Sequence, residues 1–257
     1  MFTAAAFIPS PPLLVPELSG RSDETLGSLR EAALEAGSRL GALASRWLVL
    51  GTAETADSDA GWQPQAGETG SFAGFGAPVC VALAPSQADG RPAADCSPET
   101  GNVDAGRDWP LAALIAGWVR TMSAPEVTAT VSLLPPSTSA EAALAVGVQV
   151  RRELDAAAQP VGLLIVGDGA RTLTDGAPGA FDPRSAAVQS DIDRALSKGD
   201  RSALAHLDAP LCEELGISGR PSWQAMAGAF TSDPSTALSL YCDAPYGVGY
   251  HVGMWLP

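Results

Sequence analysis

A glycine-rich loop after an apolar run holds the side chains best placed for chemistry. The segment Gly167-Asp-Gly-Ala-Arg171 directly follows the run at 161–166, which is typical of a buried strand. In an open α/β sheet, ligands bind beyond the carboxyl ends of the strands. Asp168 offers a carboxylate at such a place. Arg171 offers a guanidinium that stays protonated and therefore cannot act as a base. The loop thus predicts a cleft that holds a permanent positive charge.

A second acidic group follows another apolar run, at 47–52. This group is Glu54, and together with Asp168 it offers the oxygen ligands that Mg²⁺ and Ca²⁺ prefer. The alternative is that both are solvated loop carboxylates, of which an acidic chain has many. The sequence leaves these two interpretations open.

Histidine chemistry has little support, because the chain has only two histidines. His206 lies in a predicted short surface helix. His251 lies in the last predicted strand, at 248–255, where we expect it to have a structural role. Two histidines so far apart in sequence do not indicate a metal site. The motifs of a serine nucleophile elbow, a phosphate-binding loop and a dinucleotide fingerprint are missing from the sequence as well.

Predicted strands and helices alternate along most of the chain. Helices are predicted at 22–43, 110–122, 138–158 and 182–199, with shorter pieces within 202–230, and strands at 2–8, 47–52, 78–84, 127–134, 161–166, 237–242 and 248–255. Alternation of this kind favours a three-layer α/β sandwich. Its central sheet is expected to be mostly parallel, with an antiparallel edge made by the last two strands and helices on both faces. No linker divides the chain, so a single domain at 1–257 is predicted.

Composition excludes several functions. The net charge is −14, from 29 acidic and 15 basic residues, and the sequence contains no cluster of lysines or arginines. Such a chain repels a phosphate backbone, so we expect no nucleic-acid partner and no membrane partner. The four cysteines are far apart in sequence and form no Cys-x-x-Cys motif. They are expected to be reduced thiols in a cytoplasmic protein.

Several short motifs resemble those of one enzyme family. The chain resembles the class III extradiol ring-cleavage dioxygenases, in the group that includes the β subunit of protocatechuate 4,5-dioxygenase. The resemblance spans most of the chain. The motifs that carry it are Pro9-Ser-Pro-Pro-Leu-Leu-Val-Pro-Glu17, Trp47-Leu-Val-Leu-Gly-Thr-Ala-Glu-Thr55, Val166-Gly-Asp-Gly-Ala-Arg-Thr-Leu173 and Pro245-Tyr-Gly-Val-Gly-Tyr250.

The resemblance implies a non-haem Fe(II) centre with two histidines, a glutamate and a further histidine as acid and base. At the positions that match, this chain has Ser10 for the first histidine, Ala53, Glu54 or Thr55 for the second, and Arg171 for the acid/base histidine. If Trp223 is the family's tryptophan, the position of the glutamate falls near Gly219, where there is no carboxylate. Fe(II) of this type needs two histidines and a carboxylate with open positions. We therefore expect no iron cofactor and no ring cleavage.

Three hypotheses follow. The first is a catalytically degenerate relative that keeps the cleft for a small anionic ligand or for assembly, with Arg171 pairing a carboxylate or phosphate. The second is an enzyme of altered chemistry, a metal-assisted hydrolase or lyase or a residual dioxygenase, that uses Glu54, Asp168 and Arg171. The third is a non-catalytic subunit of a homo- or hetero-oligomer. All three predict that the candidate residues share one cleft: Ser10, Glu54, Thr55, Asp168 and Arg171.

Overall fold

A six-stranded sheet forms the middle layer of the computed structural model, which describes residues 1–19, 24–53, 62–64, 67–85 and 109–257. The strands are β1 (Phe2–Ile8), β2 (Arg46–Thr52), β3 (Gly70–Ser71), β4 (Cys80–Val81), β5 (Thr128–Leu134), β6 (Val161–Val166), β7 (Thr236–Asp243) and β8 (Tyr250–Leu256). In the large sheet their order is β5-β2-β6-β1-β8-β7, and β3 pairs with β4 separately. The first four strands in this order are parallel, while β8 and β7 run antiparallel to their neighbours.

Helices cover both faces of this sheet. They are α1 (Pro16–Ser19), α2 (Glu24–Leu43), α3 (Leu111–Ser123), α4 (Ala140–Ala156), α5 (Ser185–Lys198), α6 (Arg201–Ala205), α7 (Ala209–Glu214) and α8 (Arg220–Ala229). Buried side chains of α2 and α3 share one hydrophobic core, and those of α4, α5 and α8 share the other. The prediction of a three-layer α/β sandwich with an antiparallel edge is therefore confirmed.

Strand β6 is an inner strand of the parallel part of the sheet, and both of its faces are covered. Every residue of β6 is buried, and it pairs in parallel with both β1 and β2. Alternate side chains, such as Leu164 and Ile165, enter the two different cores. An uninterrupted apolar run is the sequence that such a doubly covered strand requires.

The region between β2 and α3 differs from the prediction. A strand was expected at 78–84, but only Cys80–Val81 is extended, paired with Gly70–Ser71. The expected loop at 86–108 lies outside the described residues. Cys80 is disulfide-bonded, whereas Cys212 and Cys242 are free. The prediction of four reduced cysteines is therefore wrong for Cys80, and the cytoplasmic location that it supported stays a prediction.

None of the helices in the described part of the chain has the length and apolar character needed to cross a membrane.

Candidate functional site

The carboxyl ends of the four parallel strands open onto one cavity of about 400 Å³, here called the strand-end cavity. Ligands of open α/β sheets bind at this edge, and the volume suits a small molecule. Its polar lining consists of Ser10, Thr52, Asp168, Arg171, Cys212, Glu213, Ser218 and Arg220.

Asp168 is held by the residues that follow β1. The backbone N–H of Ser10 donates to Oδ1 of Asp168 at 2.7 Å, and the Ser10 hydroxyl donates to Oδ2 at 2.8 Å. Burial raises the pKa of Asp168, and the two bonds from Ser10 oppose that shift. Desolvation therefore biases this carboxyl group toward its neutral, proton-bearing form.

Replacing Asp168 by Asn should change how stability depends on pH. A carboxyl group whose pKa is higher in the folded than in the unfolded chain lowers the unfolding free energy as the pH rises. The loss begins near the pKa of the unfolded chain, 3.8, and is complete above the pKa of the folded chain. We expect the unfolding free energy of the wild type to fall relative to that of Asp168→Asn as the pH rises above about 4. Denaturant unfolding at several pH values measures the difference, with Asp175→Asn as an exposed control. A difference that stays constant with pH would contradict the raised pKa.

The loop at 167–172, here called the β6 loop, is fixed by hydrogen bonds to surrounding segments. The carboxamide of Gln189 lies between Gly169 and Gly249, where a Cβ at either position would overlap it. Its Oε1 accepts from the backbone N–H of Ala170 at 2.8 Å. The N–H of Gly169 also donates to the carbonyl of Gly249 at 2.8 Å. The β6 loop is thus held in one shape before any ligand binds.

Arg171 extends from the β6 loop over a glycine that leaves room for it. Gly216 has a φ of 65°, in the left-handed region, and a Cβ at this position would overlap the Arg171 side chain. The backbone N–H of Arg171 donates to the carbonyl of Leu215 at 3.2 Å. Arg171 is exposed, and its guanidinium has no ion pair within the described ranges. It is therefore available to a ligand.

Arg220 brings a second guanidinium to the cavity from the first turn of α8. Only 4% of this residue is exposed. Its guanidinium donates to Oε1 of Gln224 at 2.9 Å and to the carbonyl of Pro136 at 2.7 Å. Both acceptors are neutral, and no carboxylate of the described segments forms an ion pair with it. Burial lowers its pKa, and the nearby Cys212 and Glu213 partly offset this shift.

Two further lining residues contribute polar atoms without charge. Burial raises the pKa of the Cys212 thiol to about 11, so it is protonated at neutral pH. The hydroxyl of Thr52, at the end of β2, is buried and finds no hydrogen-bond partner within the described part of the protein. The lining of the cavity therefore combines two arginines and two carboxyl groups with neutral polar groups.

The structure brings Ser10, Asp168 and Arg171 together at the strand-end cavity, while Glu54 and Thr55 lie outside the described residues. That these residues bind a ligand stays a prediction. Sequence reasoning missed Arg220. Its signal was an arginine followed by proline at the start of a largely buried helix, a pattern that belongs to no recognised motif.

Comparison with solved structures shows the same fold in another protein. The chain is similar to an uncharacterized protein from Escherichia coli K12, with a TM-score of 0.53 and 13% sequence identity. The similarity covers 98% of this chain and 99% of that one. No protein-family model and no curated protein sequence matches the chain. At this level of identity the similarity shows that the two proteins share a fold, and it shows nothing of function.

Proposed function

We propose that the protein binds a small anionic molecule, a carboxylate or a phosphate, in the strand-end cavity. One observation carries the proposal: Arg171 and Arg220 line the same cavity, and neither forms an ion pair among the described residues. A guanidinium donates through a planar fork that matches the oxygens of carboxylates and phosphates. An anion bound between the two arginines would compensate both charges.

None of the acidic groups in the described lining forms an ion pair with either arginine, so a bound anion would supply the compensating charge. Asp168 accepts both of its hydrogen bonds from Ser10, and burial favours its neutral form. Glu213 is exposed to water and ions, which weaken its attraction to the arginines. A bound anion would attract the buried Arg220 more strongly than the exposed Arg171, because the interaction between charges strengthens as water is excluded.

We further propose that the chain is a catalytically degenerate relative of the class III extradiol dioxygenases. Ser10, at the position of the family's first histidine, and Ala53, one of the three candidate positions for the second, both line the cavity. Gly219 lies beside it, since its N–H donates to the carbonyl of Asp168 at 2.8 Å. These three positions surround one site although they are distant in sequence, which supports the proposed correspondence.

The residues of this cavity do not fit the iron of that family. The described lining offers hydroxyl groups, the thiol of Cys212, the carboxyl groups of Asp168 and Glu213, and two arginines, but no histidine. Fe(II) of the family's type requires two histidines and a carboxylate, and two nearby guanidinium groups oppose a cation. The proposed function therefore contains no iron-dependent step.

A second candidate function is acid–base catalysis on the bound anion. The observation that favours it is that Asp168 lines the same cavity as Arg171, where burial raises the pKa of its carboxyl group toward the range of a general acid. Arg171 would hold the substrate, and Glu54 stays a hypothetical participant outside the described residues. Turnover of a bound anion that Asp168→Asn abolishes, with binding retained, would favour this second function. Association with a related protein chain also stays a prediction.

Calorimetric titration with pairs of matched small molecules tests the proposal. Small mono- and dicarboxylic acids and inorganic phosphate are compared with the neutral amides of the same acids. We expect at least one acid to bind at one equivalent while its amide does not, because only the anion compensates the arginines. Equal binding of acids and amides would contradict the proposal. So would stoichiometric iron in the purified protein with oxygen uptake on catechols.

A further inference from the structure

A second cluster of chemically active side chains lies at the antiparallel edge of the sheet, away from the strand-end cavity. It consists of Asp193 on α5, Cys242 on β7 and His251 on β8. One potential ligand atom from each residue lies within 4.8 Å of the other two. Cys242 and His251 are direct partners in the β7–β8 register, which places their side chains on the same face of the sheet.

We propose that this cluster binds one Zn²⁺ ion through the Asp193 carboxylate, the Cys242 thiolate and the Nδ1 atom of His251, with water at the fourth position. Zn²⁺ takes nitrogen, oxygen and sulfur ligands in a tetrahedral arrangement. Zn–N and Zn–O bonds of that geometry separate the two ligand atoms by about 3.3–3.5 Å. The Nδ1 atom of His251 lies 3.1 Å from Oδ1 of Asp193, so a small shift of the partly exposed Asp193 completes the site.

Hydrogen bonds around the cluster orient its nitrogen and oxygen ligands. The Nε2 atom of His251 lies 3.0 Å from the hydroxyl of Ser239. When Nε2 donates to this hydroxyl, Nδ1 presents its lone pair toward Asp193 and Cys242, the tautomer that a metal needs. Gln189 donates from Nε2 to Oδ1 of Asp193 at 2.9 Å. Outer bonds of this kind are the usual support of a metal ligand.

The exposure of the three side chains suits an ion that arrives from solvent. The side chain of His251 is 1% exposed and anchors the site from the core, whereas that of Asp193 is 25% exposed. Cys242 is exposed at the surface. Two of the three proposed ligands therefore lie where an ion and its water can reach them.

The thiol of Cys242 has to lose its proton for the metal to bind. This thiol is hydrogen-bonded to the carboxylate of Asp193. Metal binding is thus coupled to proton release, and the affinity should increase with pH. This proposal is independent of the function proposed for the strand-end cavity.

Titration of the metal-free full chain with Co²⁺ and Zn²⁺ tests the site. The protein is kept free of reductant, so that the disulfide at Cys80 stays intact. We expect one equivalent of Co²⁺ to bind with the intense near-ultraviolet absorption of a thiolate–cobalt bond, and Zn²⁺ to displace it. Cys242→Ala and Asp193→Asn each remove a direct ligand and should weaken Co²⁺ binding by more than about 100-fold. Loss of a residue that only hydrogen-bonds to a ligand costs up to about 100-fold, so loss of the ligand itself should cost more.

Two matched variants serve as controls. His206→Gln removes the other histidine, and Asp191→Asn removes an exposed carboxylate from the same helix as Asp193. Both should bind Co²⁺ like the wild type. Because Cys242 is exposed, Cys242→Ala should fold, and its far-ultraviolet circular dichroism verifies this. The proposal is overturned if Co²⁺ does not bind stoichiometrically. It is also overturned if Co²⁺ binds without a thiolate absorption that depends on Cys242, and the cluster is then only hydrogen-bonded.

Discussion

Replacing either Arg171 or Arg220 by methionine is expected to weaken binding of the anion by about 10- to 100-fold. Hydrogen bonds to charged groups contribute about 1.5–3 kcal/mol, and 1.4 kcal/mol corresponds to a tenfold change in Kd. Methionine keeps much of the volume of each side chain and removes the charge. Both arginines line the strand-end cavity, so both should contact the same ligand. Calorimetric titration of each variant with the best acid measures the loss.

The two substitutions differ in their expected effect on stability, which separates binding from folding. Arg171 is exposed, and its replacement should change the unfolding free energy by less than about 0.5 kcal/mol. Arg220 is buried and bonded to Pro136, so its variant needs a parallel unfolding measurement. Arg194→Met is the control, because it removes one exposed charge from α5 and leaves the cavity lining unchanged. Unchanged affinity in the Arg171 and Arg220 variants alike would contradict the proposed role of the arginines.

Replacing Gln189 by methionine is expected to destabilise the protein by about 2–4 kcal/mol. The change leaves the buried N–H of Ala170 without its acceptor, which costs about 1–3 kcal/mol, and it removes a second bond, to Asp193, worth about 0.5–1.5 kcal/mol. The carboxamide also fills a narrow space between Gly169 and Gly249 that a flexible thioether fits less well. Denaturant unfolding measures the loss.

Gln189 links both candidate sites, so the same variant should affect each of them. Its Oε1 holds the β6 loop that carries Arg171, and its Nε2 holds Asp193 of the proposed zinc site. We expect weaker binding of the anion and of Co²⁺ in Gln189→Met. Gln149→Met is the matched control, because Gln149 lies on the surface of α4 and its side chain bonds, among the described residues, only to Glu153 on the same helix. A stability loss no larger than that of the control would show that the Gln189 bonds are not structural.

The sequence predicts the parallel part of the fold well, for a physical reason. Strand β6 is predicted and observed over the same residues, Val161–Val166, because a strand covered on both faces must be apolar throughout. Helix α5 ends where a glycine was expected to end it, since Gly199 adopts a left-handed φ of 73°. The carboxyl ends of parallel strands meet at one edge, which is why Ser10, Asp168 and Arg171 line one cavity.

The remaining site residues depend on contacts that a sequence does not reveal. Arg220 reaches the cavity only because α8 packs beside the end of β6, and no motif marks it. The cluster of the proposed zinc site depends on a shift in the β7–β8 register between Ser239 and Tyr241. Without that bulge the pairing before it would place Cys242 opposite Tyr250 instead of His251. Bulges of this kind re-aim side chains near functional sites, and apolar alternation does not predict them.

A crystal structure of the protein with its best-binding small acid tests the central claim most directly. We expect carboxylate or phosphate oxygens in the strand-end cavity, within about 2.7–3.2 Å of the guanidinium nitrogens of both Arg171 and Arg220. An acid bound outside this cavity, or bound inside it without contact to either arginine, would contradict the claim that the paired arginines form an anion site.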